Sequence, residues 1–281
     1  MFHAPKSVKP GGMENVQKTY LCQVSEELSC GACCGLYNVP GLSREGLLGL
    51  LSERTEKFAK VPRTEKDIDD FGLGEKNRVN DRLRPCPEFH HCPFLGLVGE
   101  NLSRVGCLLH PLGRGNHGVD HRGLSWYGAF ACRTYFCPTH HEMNEEYKKI
   151  VIAASPGWYL YGLIITEKEM LENFFHAAGN RLGKPITFDF IMESPKRTRA
   201  VLEFLRLKES WPFRPAGSPR TCHYFFKDGL YPDTPIPYAE LGAKASPFDP
   251  VLRALGSDFS SARELHRAEE MLCEIMGTVI S

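Results

Sequence analysis

The stretch Cys30–Gly35 reads CGACCG and places three cysteines within five residues. The two residues between Cys30 and Cys33 let one tight turn direct both thiols at the same ion. The flanking glycines allow backbone conformations that other residues avoid. Cys34 adds a third sulfur beside the second, and neighbouring residues project in different directions. Cys33 and Cys34 therefore either serve two metals or leave one thiol spare, and the cluster indicates a metal site rather than packing.

Cysteine usage along the whole chain supports this interpretation. The chain has 281 residues and 11 cysteines, and 9 of those cysteines precede residue 138. Residues 1–12 contain no export signal, and the longest uncharged stretch, Ile150–Thr166, is shorter than the ~20 apolar residues of a spanning helix. We expect that stretch to be a buried core segment. In a reducing cytosol thiols persist as thiols, so crowded cysteines predict metal or redox chemistry in a cytoplasmic protein.

Charge composition restricts the class of partner. Lys plus Arg and Asp plus Glu both number 34, so no net field favours nucleic acid or an anionic membrane. Hydrophobic residues make up 42% of the chain, which is ordinary for a globular protein with a core. We expect an unidentified protein partner or a small substrate, and neither nucleic acid nor membrane.

The residue pattern predicts an α-rich protein in two parts. Residues 20–141 are expected to form a cysteine-rich, loop-dominated metal module, and residues 142–281 a mostly helical region that can share one core with it. In the first part a helix is predicted from Arg44 to about Phe58, with Ser43 as its N-cap. The stretch Lys60–Arg84 is highly charged and almost without large apolar residues, which predicts a solvated loop.

The second part carries several helix-start signals. Capping residues mark four expected helix starts, at Asn144, Thr166, Ser194 and Ser261. The first helix is expected to end near Pro156 and the second at Gly179. The last is expected to end just before Gly277.

Further cysteines downstream have local patterns of their own. Cys107 and Cys137 are each followed three residues later by a histidine, His110 and His140. Sulfur-rich sites select zinc, Cu(I) or iron–sulfur clusters over magnesium or calcium. Six or more sulfurs exceed the needs of one tetrahedral ion, so one cluster with spare thiols and two zinc ions both fit.

The order of these motifs resembles the YkgJ-type cysteine-cluster family, which is described as chelating zinc or iron through a CxxCxxCC cluster. The matching motifs are Cys30-x-x-Cys33-Cys34-Gly35, Cys92-Pro93-Phe94-Leu95, Gly106-Cys107-x-x-His110-Pro111 and Cys132-Arg133-Thr134-Tyr135. The resemblance covers about Ser29–Cys137. It implies a metal-binding set of Cys30, Cys33, Cys34, Cys92, Cys107 and Cys132, to which we add Cys137 as an extra candidate.

Two departures from the family leave the number of ligands open. The first cysteine of the family's opening motif falls at Glu27, and Cys22 is too early to replace it without a loop. About two dozen residues separate Cys107 from Cys132, where the family often has a short step. The expected cofactor is an iron–sulfur cluster, [4Fe–4S] first, or zinc.

Other side chains have competing interpretations. His117, Asp120 and His121 could form an open catalytic site, although the glycines around them are more typical of an exposed loop. The pairs His90–His91 and His140–His141 flank candidate ligands but are surface residues by default. Whether Cys22, Cys86, His110 and His140 are ligands is open, and Cys222 and Cys273 are expected to be packing residues.

Two function classes remain. In one, a redox or catalytic cluster sits beside a substrate pocket or docking surface shaped by the helical part. A flagellin lysine methylase family has a somewhat similar cysteine cluster, but no methyl-donor site can be matched here. In the other, zinc is structural and folds a module for protein interaction. The high sulfur count favours iron–sulfur, and the sequence assigns no reaction or substrate.

Overall fold

Helices account for about half of the residues described by the computed structural model, which are 18–80, 82–87, 89, 91–123, 131–218, 222–223 and 235–281. The described residues also contain one two-stranded sheet, so the prediction of an α-rich protein is confirmed. The elements in chain order are a 3-10 turn (Ala32–Cys34), α1 (Arg44–Phe58), α2 (Glu65–Asn80), β1 (Leu95–Val98), β2 (Arg104–Cys107), α3 (Ala131–Thr134), α4 (Pro138–Glu142), α5 (Glu145–Ala154), α6 (Trp158–Ile164), α7 (Lys168–Leu182), α8 (Phe188–Met192), α9 (Pro195–Ser210), α10 (Asp249–Ala254) and α11 (Ala262–Val279).

Helix α1 forms where the sequence predicts it. Ser43 is the N-cap, and its hydroxyl accepts a hydrogen bond from the Gly46 amide at 3.0 Å. Gly46 leaves room for the close approach of the preceding loop, because a Cβ there would lie 2.4 Å from the carbonyl oxygen of Gly41. Leu47 and Leu51 are fully buried on the inner face of the helix.

The prediction of a solvated loop at Lys60–Arg84 is wrong, because α2 occupies most of it. The Thr64 hydroxyl accepts a hydrogen bond from the Asp67 amide at 3.2 Å and so caps the helix start. The few apolar residues are correctly spaced for one face, and Ile68 and Val79 are both buried.

A buried carboxylate completes that face and explains why the pattern was missed. Glu75 is 5% exposed and accepts a hydrogen bond from Arg54 Nε at 3.1 Å. Arg78 also donates to Glu75, at 2.6 Å. From the sequence alone, a glutamate is expected to face solvent. Glu75 faces inward because two guanidinium groups compensate its charge.

The N-terminal part is therefore not confirmed as loop-dominated. It contains two long helices and an antiparallel hairpin in which Leu95 pairs with Cys107 and Val98 with Arg104. Helix α1 packs against β1, so the hairpin that carries Cys107 is fixed to a helical support.

The capping predictions for the second part are mostly confirmed. The side chains of Asn144, Ser194 and Ser261 each accept an amide hydrogen bond at the start of α5, α9 and α11. Helix α7 differs, because Glu167 rather than Thr166 precedes it and Gly183, with φ of 79°, ends it. Gly179 is a buried residue inside α7, and α11 continues past Gly277 to Val279.

One hydrophobic cluster includes residues from both parts of the chain. All residues of α6 are buried, so the expectation of a buried segment at Ile150–Thr166 is confirmed for its second half, whereas Ala153 and Pro156 in its first half are exposed. The hydroxyl of Tyr37 donates to the carbonyl of Tyr159 in α6 at 2.7 Å. Helix α6 packs on α9, as does α11. Through these contacts α6 connects the cysteine-bearing part to the helical part.

Two expectations concern export and membrane insertion. Residues 1–17, on which the expectation of no export signal rests, lie outside the described residues. In the described ranges, no helix combines the length and apolarity needed to cross a bilayer.

The placement of α2 can be tested with two of its glycines. A Cβ on Gly72 would lie 2.7 Å from the ring of the buried Phe94, whereas a Cβ on Gly74 meets open space. We expect Gly72→Ala to lower the free energy of unfolding by about 1–3 kcal/mol through overpacking. Gly74→Ala should raise it by about 1 kcal/mol through helix propensity. Urea unfolding followed by circular dichroism measures both, and equal effects of the two changes would contradict the helix register.

Candidate metal centre

The CGACCG stretch forms a 3-10 turn over Ala32–Cys34. The amide of Cys34 donates to the Gly31 carbonyl at 3.2 Å, and the amide of Gly35 donates to the Ala32 carbonyl at 2.8 Å. Gly35 has φ of 76° and ends the turn, which explains why a glycine follows the cysteine pair. With three residues per turn, adjacent side chains diverge by roughly 120°. The thiols of Cys33 and Cys34 nevertheless remain close enough for a hydrogen bond between them.

Cys22 reaches this turn through a loop that the sequence did not predict. The amide of Val24 donates to the carbonyl of Leu28 at 2.9 Å, so the chain reverses direction at residues 24–28. Gln23 and Ser29 then pair as an antiparallel bridge, and the Cys30 amide donates to the Cys22 carbonyl at 2.9 Å. This places Cys22 beside Cys30.

Cys137 approaches the same place from the other end of the module. The ring of Tyr20 lies edge-on to Phe136, with centroids 5.9 Å apart, so the segments that precede Cys22 and Cys137 are in contact. Burial, reinforced by the nearby thiols of Cys33 and Cys137, raises the pKa of Cys22 to about 12. The thiols on this side of the turn form a first thiol group of Cys22, Cys30, Cys33 and Cys137.

The other side of the turn faces a different set of sulfurs. The Cys92 amide donates to the Cys34 carbonyl at 2.8 Å, and the Leu108 amide donates to the Phe94 carbonyl at 2.9 Å, so Cys107 lies beside the Cys92 segment. Burial raises the pKa of Cys107 to about 11, with Cys132 a further cause. Burial, Cys107 and Cys132 likewise raise the pKa of Cys92. The second thiol group consists of Cys34, Cys92, Cys107 and Cys132.

The two groups meet at the adjacent residues Cys33 and Cys34. The thiol of Cys34 donates a hydrogen bond to the sulfur of Cys33, which lowers the pKa of Cys33. The same hydrogen bond and burial raise the pKa of Cys34 well above its usual value. Of this pair, Cys33 is therefore the sulfur that carries negative charge more readily.

Backbone amides surround several of these sulfurs in a repeated arrangement. The Ala32 amide donates to the sulfur of Cys30 at 3.5 Å. Amides two or three residues further along the chain also bond the sulfurs of Cys92, Cys107 and Cys137. Hydrogen bonds to a thiolate favour the charged form, which is the form that binds metal. Four separate segments thus present a sulfur with a backbone amide directed at it, although burial keeps the pKa of each of these thiols above its usual value.

Three cysteines are not members of the two thiol groups, although the thiol of Cys33 also raises the pKa of Cys222. Cys86 is buried, and its amide donates to Asn38 Oδ1 at 2.9 Å. Cys273 is exposed on α11. Cys222 is buried, and desolvation raises its pKa, with Glu167 the next cause. Most cysteines of the two groups are partly buried as whole residues, and Cys132 is exposed.

The eight sulfurs are neighbours but do not form a closed ligand shell. Among the described residues, no three or more His, Cys, Asp or Glu side chains are arranged so that they could hold a metal ion. The mutual effects on pKa, in contrast, require the thiols of each group to be within electrostatic range of one another. The thiols therefore converge without forming a metal-binding group among the described residues.

The candidate histidines are used in other ways. His110 accepts a hydrogen bond from the Leu112 amide at its Nδ1, at 3.1 Å, and burial lowers the pKa of His110. His140 is buried and stacks on Phe136, with ring centroids 4.5 Å apart. His91 is buried with its Nε2 3.2 Å from Asn80 Oδ1. His90 lies outside the described residues.

The alternative site at His117, Asp120 and His121 gains little support. Two hydrogen bonds from Arg122 engage the carboxylate of Asp120, and they hold the pKa of Asp120 down at about 2. His117 is exposed, with φ of 50°, and His121 is buried. Asp120 therefore positions Arg122. The guanidinium of Arg122 favours the charged form of the Cys107 thiol, and it donates a hydrogen bond to the Cys132 carbonyl at 3.5 Å.

Comparison with known proteins adds no relative. No protein-family model, no curated protein and no solved structure matches this chain. The resemblance to the YkgJ-type family therefore rests on the order and context of the cysteine motifs, and the chemistry of the site follows from this chain's own residues.

Proposed function

We propose that this protein binds a sulfur-ligated inorganic centre in its cysteine-bearing part. The observation that supports the proposal is the convergence of thiols from distant stretches of the chain on the two sides of one 3-10 turn. Packing cysteines have no need to gather in this way. The ligand set that we propose contains the seven sequence candidates Cys30, Cys33, Cys34, Cys92, Cys107, Cys132 and Cys137.

The chemistry of the donors fits a thiophilic metal. The donors are thiols, and the amides beside four of them, with Arg54 near Cys92 and Arg122 near Cys107, partly offset the rise in thiol pKa that burial causes. Magnesium and calcium prefer oxygen ligands, whereas zinc and iron–sulfur clusters take thiolates. A bound iron–sulfur cluster would supply electron transfer or Lewis-acid chemistry, and bound zinc would supply rigidity or Lewis acidity.

Between these metals we propose an iron–sulfur cluster first, because the number of sulfurs in the candidate set is high. Thiols in such numbers also persist best in a reducing compartment, which is why we propose a cytoplasmic location. An iron–sulfur protein is brown with broad visible absorption, whereas a zinc protein is colourless, so the colour of protein purified under nitrogen separates the two.

A structural zinc site is the second candidate. Residues 18–43 contain one 3-10 turn and one isolated bridge but no α-helix or strand, so little regular structure stabilises this segment. Structural zinc contributes apparent binding free energies of about 10–16 kcal/mol, enough to order such a segment. In that case the cysteine-bearing part would serve protein interaction rather than catalysis.

The proposal predicts the metal content of two variants. Cys33→Ser combined with Cys34→Ser should abolish bound metal and destabilise the fold, because both thiol groups depend on this turn. Cys273→Ser is the matched control, since its thiol is exposed on α11, and it should keep wild-type metal content. Elemental analysis of protein purified under nitrogen measures both. Equal metal retention in the two variants would contradict the proposal.

A further inference from the structure

The chain that follows Cys107 forms a loop over residues 108–123, and two aliphatic side chains of this loop face solvent. Leu112 is 81% exposed and Val119 is 53% exposed. The amide of Gly118 donates to the carbonyl of Pro111 at 3.2 Å, so the positions beside these two side chains are in contact. Single exposed apolar residues are ordinary, whereas exposed apolar residues grouped on one surface are typical of an interaction site.

Buried polar contacts hold the loop in place. Asn116 is 2% exposed, and its side-chain nitrogen donates to the carbonyls of Leu108 and His110, both at 2.7 Å. Its side-chain oxygen accepts from Arg63 Nε at 2.8 Å, which ties the loop to the segment that precedes α2. Because these contacts already order the backbone, a partner that covers Leu112 would not have to order it, and such preorganisation strengthens binding.

Arginines surround the exposed pair. Arg63 donates to the carbonyl of Arg114 at 3.2 Å, and Arg114 is itself exposed. Arg122 and Arg133 meet at Asp120, with ion-pair distances of 2.9 Å and 3.5 Å. Among the described residues of the loop and its hydrogen-bonded neighbours, four arginines thus accompany one carboxylate. The surface is locally positive in a chain whose total charge balances, so it favours an acidic partner.

The loop also borders two of the proposed ligands. The amide of His110 donates to the carbonyl of Cys107 at 3.1 Å. At the other end of the loop, Arg122 donates to the carbonyl of Cys132 at 3.5 Å, and Cys132 is the most exposed cysteine of the proposed set. A partner seated on the loop would therefore approach the proposed centre from its most accessible side.

We infer that this loop is the docking surface for a small acidic electron-carrying protein, which covers Leu112 and Val119 and faces the arginines with carboxylates. The inference rests on the proposed function, because an iron–sulfur centre exchanges electrons with a partner at the protein surface. One electron passes from the reduced partner to the oxidised centre, and no bond forms or breaks. Redox complexes of this kind bury less than about 1,200 Å², which suits two aliphatic side chains within a charged rim.

A nucleic acid fits this surface less well than a protein does. Its phosphates would match the arginines, but its bases bind by stacking on aromatic side chains. Leu112 and Val119 offer no ring for stacking, whereas they suit an apolar patch on a protein.

Calorimetric titration of the full chain, purified under nitrogen, with a plant-type [2Fe–2S] ferredoxin as the acidic electron carrier tests the inference. Leu112→Ser and Arg114→Glu alter the loop. Leu83→Ser and Arg82→Glu are the matched controls, since Leu83 is 91% exposed and Arg82 beside it is also exposed. Both controls follow the far end of α2, whose 16 residues span about 24 Å from the end beside the loop.

We expect each loop variant to weaken ferredoxin binding about tenfold at about 20 mM NaCl, and each control variant to bind like wild type. The effect of Arg114→Glu should shrink at about 0.5 M NaCl, because salt screens charges at a surface. The effect of Leu112→Ser should remain there, because it comes from lost apolar burial.

Three results would overturn the docking inference: wild type that does not bind ferredoxin, loop and control variants that weaken binding equally, or a loop that instead binds phosphatidylserine vesicles in a manner lost in Leu112→Ser. Elemental analysis of the same samples separates these results from failure of the proposed function. Protein that holds iron but does not bind ferredoxin defeats the docking inference alone. Protein that holds only zinc defeats it too and leaves the metal site standing, whereas protein without metal defeats both.

Discussion

Replacing Lys208 by methionine is expected to lower the free energy of unfolding by about 3–5 kcal/mol, because it leaves a carboxylate buried without its main counter-charge. Lys208 is 2% exposed and Glu167 is 3% exposed. The Lys208 ammonium donates to Glu167 Oε1 and to the Ala254 carbonyl, both at 2.5 Å. Removing the ammonium therefore uncouples α9 from the start of α7 and from the end of α10.

A partly exposed lysine at the same end of α7 provides the matched control. Lys168 forms an ion pair with Glu142 at 3.2 Å, and the Glu142 side chain is 58% exposed. Lys168→Met should change the free energy of unfolding by less than about 1 kcal/mol, as expected for a surface pair. Urea unfolding at pH 7 measures both variants. A Lys208→Met effect as small as that of Lys168→Met would contradict the buried pair.

The same pair predicts a pH dependence. Burial acts to raise the pKa of Glu167, but the charge of Lys208 and the contacts of His223 outweigh it, so the pKa lies below its usual value. The carboxylate therefore stabilises the fold above the usual carboxyl pKa, and that contribution is lost as the pH falls through the lowered value. In Lys208→Met burial dominates and raises the pKa. The stability gap between wild type and variant should consequently narrow on acidification from pH 7 towards pH 4.

The second large effect is expected from Arg54→Met, which should cost about 3 kcal/mol or more in free energy of unfolding. Arg54 is 1% exposed, and it joins α1 to Glu75 in α2 and to the Cys92 carbonyl. The substitution leaves Glu75 with only its outer partners Arg78 and Lys57. It also frees the backbone of a proposed ligand, so we expect the second thiol group to lose metal as well.

Lys57→Met is the control for this variant, since Lys57 pairs with the same Glu75 from a side chain that is 48% exposed. It should change the free energy of unfolding by less than about 1 kcal/mol and leave metal content unchanged. Urea unfolding and elemental analysis apply to both. If Arg54→Met kept full metal content and wild-type stability, Arg54 would not support the Cys92 segment.

Local signals in the sequence predicted the elements that depend on local chemistry. Ser43, Asn144, Ser194 and Ser261 cap helices as expected, because a cap is set by a few neighbouring residues. Helix α2 was missed because Glu75, the centre of its inner face, is charged and is buried only through contact with a distant arginine. That pairing has no local signature.

The α7 boundary shows a related limit. Gly179 looks like a helix stop, but it lies inside α7, where a Cβ would be 3.1 Å from the carbonyl oxygen of Lys184. Gly183 takes the left-handed conformation that ends the helix. Glu167, at the other end, looks like an ordinary first-turn acid. Its burial against Lys208 depends on α9, which lies some forty residues further along the chain.

For the candidate site, the sequence predicted which thiols matter better than how they are arranged. The Cys30–Cys34 spacing was enough to indicate ligands, since it acts through one turn. Cys22 could not be assigned, because its position depends on the loop at residues 24–28 and on a bridge between Gln23 and Ser29. The polar run Ser25-Glu26-Glu27, which begins five residues before Cys30, was the available signal for that turn.

The central claim is that thiolates of this chain surround metal, and X-ray absorption at the metal edge tests it most directly. The protein purified under nitrogen should show a first shell composed of sulfur alone, four per metal for zinc at about 2.3 Å. For an iron–sulfur cluster the same shell should be accompanied by a metal–metal shell. A first shell of oxygen or nitrogen, or protein that carries no metal at all, would contradict the account.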